Sequence, residues 1–67
     1  MWRKPMVKNK VKQRRQEMGI TLDQLSAKSG VPVSTISDVE QGGEPRVKTA
    51  QRIAHALLCT VDELWPD

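Results

Sequence analysis

The chain has 67 residues, 37% hydrophobic and 28% charged, with a formal net charge of +3 and a pI of about 9.4. That length makes one small domain with a modest margin of stability, and the composition excludes wholesale disorder. A single cysteine excludes an internal disulfide, two Trp with no Phe or Tyr exclude an aromatic platform for single-stranded nucleic acid, and no apolar run nears the ~18 residues of a membrane span.

Residues 1–18 carry seven cations (Arg3, Lys4, Lys8, Lys10, Lys12, Arg14 and Arg15) against Glu17, a balance of +6. Residues 19–45 set Lys28 against Asp23, Asp38, Glu40 and Glu44, a balance of −3, and residues 46–67 are neutral. The basic block suits a polyanion, and a solvated helix face with a loose tail fits the same charges. No apolar signal-peptide region follows the basic start, so a cytoplasmic location is expected.

Residues 1–8 read as a basic arm, because Pro5 keeps Lys4 out of helical geometry; residues 9–67 read as the domain. Asn9 is placed as N-cap of a first helix over about 10–18, with Val11 and Met18 inward and Gly19 at the C′ position. Thr21-x-x-Gln24 has the form of a capping box opening a helix over about 22–29, which Gly30 stops. Val31 points inward and Pro32 suits a helix start, where its missing N–H is no loss. A third helix over about 33–41 buries Ile36 and Val39 and leaves Val33, Ser34, Ser37, Asp38 and Gln41 outside.

After Gly42-Gly43 and Pro45, a fourth helix over about 47–58 carries an apolar stripe of Val47, Ala50, Ile53, Ala54, Leu57 and Leu58. Cys59, at the end of that run, is expected to be a small buried residue. Thr60-x-x-Glu63 repeats the capping-box form for a last short helix, whose Val61, Leu64 and Trp65 seal the core. The predicted fold is all-α, with five helices.

Two short helices meeting at a tight glycine turn, the second with small polar residues on its open side, form a helix-turn-helix layout. The second helix of such a pair enters the DNA major groove. Docking geometry then selects Val33, Ser34, Thr35 and Asp38 as base readers. Ser34 and Thr35 donate or accept, Val33 packs on a thymine methyl, and Asp38 accepts from a cytosine amino group. Each also fits a plain solvated helix surface. Unless Gln41 swings in, no bidentate reader lies on this face, so modest affinity per half-site is expected. Asp38 and Glu40 bring negative charge towards a polyanion, which the cations must offset.

The stretches Gly19-Ile20-Thr21-Leu22, Leu25-Ser26, Gly30-Val31-Pro32 and Ile36-Ser37-Asp38-Val39-Glu40-Gln41-Gly42 resemble the phage Cro and lambda-type repressor (XRE) helix-turn-helix family. Ile53-Ala54-His55-Ala56-Leu57 and Thr60-Val61-Asp62-Glu63-Leu64 are similar to its closing helices, so the likeness covers roughly residues 9–65. The resemblance implies a compact lambda-repressor-like domain and a transcriptional regulator, expected to be a repressor, in a bacterium or phage and associated with the nucleoid. It implies a homodimer on a pseudo-palindromic double-stranded operator, with half-site centres about 34 Å apart. It pairs Arg15 with Glu40 as a structural ion pair. Its phosphate contacts fall on Arg15, Thr21, Leu22, Ser37, Gln41, Gly43, Arg46 and Lys48. Leu22 departs from the family's common Gln, so a phosphate there must meet backbone N–H groups. Ser26 replaces a usual Ala, and the loop at Glu44-Pro45 is shorter by one residue. Trp2 and Trp65, too large to bury easily in so small a core, are expected to stack together or to build the subunit contact.

Two other functions fit parts of the chain less well. An antitoxin-like or protein-interaction module uses the same fold, but a toxin-binding tail is not expected so soon after Trp65. An enzyme would need more than His55 and Cys59, whose i, i+4 spacing supplies two ligands where a structural zinc site takes four. No catalytic residue, metal, cofactor or small-molecule ligand is expected.

Overall fold

The computed structural model describes residues 9–66; the expected arm over residues 1–8, and with it Trp2, lies outside the described residues. The chain forms α1 (Val11–Glu17), α2 (Leu22–Ser29), α3 (Val33–Glu40), α4 (Val47–Ala56) and α5 (Val61–Leu64), with no strand among the described residues. No helix there is long and apolar enough to cross a membrane.

Local chemistry explains where the helices begin and stop. Thr21 and Gln24 form a reciprocal capping box: the Gln24 N–H donates to the Thr21 hydroxyl at 3.1 Å, and the Thr21 N–H donates to Gln24 Oε1 at 2.8 Å. Thr60 and Glu63 repeat the pattern at 2.8 and 3.1 Å. Gly30 ends α2 at φ 73°, a left-handed conformation that a side chain would oppose. Ser29 then laces the corner, donating to Leu25 O at 2.8 Å and accepting the Val31 N–H at 3.2 Å.

The core gathers Val11, Leu25, Val31, Ile36, Val39, Ile53, Ala54, Leu57 and Leu64, one or more from every helix. Helix α2 packs on α3 and α4, α4 on α5, and α1 on α3. Leu25, on α2, is fully buried. Its truncation to Ala would cost about 3 kcal/mol in lost transfer energy and residual cavity.

Three sequence expectations need correction. Asn9 is not the N-cap of α1; Lys10 is, and the Asn9 side chain reaches past it to accept the Val11 N–H at 3.0 Å. Helix α4 stops at Ala56, because Leu58 takes a left-handed φ of 57°. Its stripe is narrower than the pattern suggested: Val47 is 72% and Leu58 75% exposed. Cys59 is only half-buried. Burial and, after it, the Glu63 carboxylate push its thiol pKa up, while the Arg14 guanidinium pulls it down.

Candidate nucleic-acid interface

The α2–α3 pair is assembled from below by two long-range contacts. The Asn9 side-chain amide, buried, donates to Val39 O at 2.8 Å and so binds the entry of α1 to the last turn of α3. Arg15 reaches from α1 to the end of α3: its Nε donates to Glu40 Oε2 at 2.7 Å and its Nη2 to Glu40 Oε1 at 3.3 Å. A third bond, from Arg15 Nη1 to Ile20 O at 3.0 Å, ties the same guanidinium to the α1–α2 turn. The forked geometry of Arg suits this task, and Lys could not reproduce it.

This pairing also changes the charge of the site. Of the two acids on α3, Glu40 is tucked against Arg15, and only Asp38 stands exposed. Arg15 in turn directs its Nε and one N–H of each Nη to Glu40 and Ile20, so only the second N–H on each Nη is open to the phosphate contact expected of it.

The expected base readers lie on one side of α3, with differing exposure. Ser34 and Asp38 are exposed, whereas Val33 and Thr35 are half-buried. Ile36 and Val39 fill the opposite side, fully inside the core. Ser37 is half-buried and accepts from Gln41 Nε2 at 3.2 Å, so Gln41 lies back along its own helix.

Groups that suit phosphate stand at the starts of α2 and α4. Arg46 and Lys48 are exposed at the start of α4. At the start of α2 the exposed Thr21 hydroxyl still has its proton to donate, and the N–H groups of Leu22 and Asp23 lack intrahelical partners. Leu22 itself packs its side chain against the core. Gly43 differs from the expectation: its N–H donates to Asp38 O at 3.0 Å, leaving no backbone donor there for a phosphate.

Several features were not visible from sequence. The Asn9–Val39 bond joins residues thirty apart, and only a small amide two residues before α1 hinted at it. Arg14 donates from Nε to Leu57 O at 3.0 Å and so caps the end of α4. Trp65 is half-buried and borders, with Val61, Val47, Ala50, Pro45 and Glu44, an open apolar groove between α4, α5 and the α3–α4 loop.

His55 is exposed, and among the described residues no three His, Cys, Asp or Glu side chains gather as a metal site would require.

A solvent-open helix, held at a glycine corner against its partner and braced from behind by α1, defines a helix-turn-helix protein. A family model described as helix-turn-helix matches residues 11–64. The chain belongs to that family, in its XRE branch, and is a DNA-binding transcriptional regulator. No curated protein matches it.

Proposed function

We propose that the chain is a repressor that reads a pseudo-palindromic operator as a homodimer through the major groove. The observation that carries this reading is the two-sidedness of α3: Ile36 and Val39 are locked into the core while Ser34 and Asp38 stand open to solvent on a rod fixed at both ends. Ser34 and Thr35 read base edges permissively, Val33 meets a thymine methyl, and Asp38 accepts from cytosine. Arg46, Lys48, Thr21 and the backbone of Leu22 hold phosphates, with Ser37 and Gln41 at the margin. With no Arg, Asn or Gln free in the first turns of α3, backbone contacts supply a large share of the affinity.

Dimerisation places two α3 helices one DNA turn, about 34 Å, apart. The exposed Val47 and the half-buried Trp65 and Val61 form the apolar surface for that contact.

The deciding experiment is selection of bound sequences from random duplexes at two salt concentrations. A shared palindromic motif supports the dimeric repressor. Binding that is uniform in sequence and driven purely by salt points instead to a protein-interaction module on the same fold.

A further inference from the structure

We propose that Gly43 is a positioning residue for Asp38: it leaves open the space in which the Asp38 carboxylate rests, and so sets which operator base that carboxylate meets. The inference rests on Asp38 being a base reader.

Beyond the end of α3 the chain folds back through Gly42, at φ 108°, and the Gly43 N–H closes on Asp38 O at 3.0 Å. This brings the Gly43 Cα beneath the Asp38 side chain. A Cβ added to Gly43 would collide with Asp38 Oδ2 and lie 3.0 Å from both Cγ and the carbonyl oxygen of Asp38. The other glycines differ. Gly19, Gly30 and Gly42 have positive φ and would meet nothing within 4 Å. Gly43 is absent from the positive-φ group, so its backbone does not call for glycine; the space above it does.

Two groups would have to give way to a side chain here, the Asp38 carbonyl and the Asp38 carboxylate. The carbonyl oxygen needs a shift of only a few tenths of an ångström. The carboxylate is the free end of an exposed side chain with no hydrogen bond or ion pair among the described residues, so it is the group that swings. Resting on Gly43, it faces the C-terminal end of α3 beside the loop, away from Ser34 in the first turn. An acceptor placed there takes the cytosine amino group of an outer base pair and is repelled by the acceptor edge of guanine. A larger residue at position 43 leaves Asp38 in the sequence but removes its carboxylate from that place.

The test compares wild type, Gly43→Ala, Asp38→Ala and the double variant by selection from random duplexes, with thermal unfolding of each. Wild type is expected to prefer cytosine at one position per half-site, and Asp38→Ala to lose that preference. Gly43→Ala should weaken it by about fivefold or more, the scale of one base contact, although Asp38 is still present. The double variant should match Asp38→Ala, and preferences at the other positions should stand.

Retention of the wild-type preference in Gly43→Ala, where Asp38→Ala loses it, overturns the positioning role and leaves the reader intact. No effect of Asp38→Ala overturns both. Should Gly43→Ala unfold, NMR of the wild type decides: a nuclear Overhauser contact between the Gly43 α-protons and the Asp38 β-protons with one dominant Asp38 rotamer supports the contact, and a freely averaged rotamer overturns it.

Discussion

The Arg15 guanidinium and the Glu40 carboxylate meet at 2.7 Å where α1 packs on α3, with side chains only 12% and 7% exposed. An exposed pair would contribute ~0–1 kcal/mol. This one is mostly out of water, so removing one partner strands the other charge. We expect Glu40→Ala or Arg15→Ala to cost about 3 kcal/mol, most of the stability of so small a domain. The apolar pair Arg15→Met with Glu40→Leu should recover much of that loss. Urea unfolding of the three variants checks it; equal losses for single and double replacements would contradict the stranded-charge account.

Ser34→Ala with Thr35→Ala should leave the thermal midpoint nearly unchanged, because Ser34 is exposed and neither hydroxyl takes part in a hydrogen bond among the described residues. Affinity for a selected operator should fall by about 1–3 kcal/mol relative to a scrambled duplex. Unchanged discrimination would remove the first turn of α3 from the reading role.

Lys48→Ala should act differently from Ser34→Ala. A phosphate contact carries no sequence information, so binding should weaken alike for all duplexes. The slope of log affinity against log salt should become shallower by about 1. A loss confined to one operator sequence would place Lys48 at a base edge instead.

Val47→Glu tests the subunit surface. Val47 is 72% exposed in the monomer, so the change should cost no more than about 0.5 kcal/mol of folding stability. It should nevertheless shift the protein to monomer in sedimentation and weaken binding to a two-half-site operator much more than to a single half-site. A variant that stays dimeric moves the interface elsewhere.

Acid should expose the α5 cap. The Thr60 backbone N–H, and after it the Thr60 hydroxyl, hold the Glu63 carboxylate below its ordinary 4.5. A carboxylate lowered on folding favours the native state above its unfolded pKa, and that contribution is lost as pH falls through the folded value. Glu63→Gln keeps an acceptor for the Thr60 N–H but cannot titrate. Below about pH 4.5, therefore, the melting temperature of wild type should fall more steeply than that of Glu63→Gln. Parallel acid limbs would show that Glu63 is not held by the cap.

Local signals made much of this architecture legible. Thr21 with Gln24, Gly30 and Thr60 with Glu63 act within a few residues of one another, so α2 lies between its cap and its glycine stop as expected and α5 follows its cap. Pro32 marked the start of α3, whose end came one residue before the expected 41, with Gln41 as its cap. Where tertiary geometry decides, the pattern misled. Val47 and Leu58 sit at helical spacing with the stripe of α4, yet the first stands at the helix entry facing solvent and the second turns left-handed to leave the helix. Asn9 was legible as a helix-start residue, but its place one residue ahead of the N-cap and its bond thirty residues away were not. The Asp38–Gly43 contact was hidden for a different reason: a glycine after another glycine looks like turn chemistry until the space above it is known.

The bonds at Asn9 fix more than α3. With Lys10 N–H on Leu64 O at 2.8 Å, they tie the entry of α1 to the last turn of α3 on one side and to α5 on the other. The first described residues thus act as a clasp: opening them frees both ends of the domain together, so fraying at the start of α1 is coupled to loosening of α3.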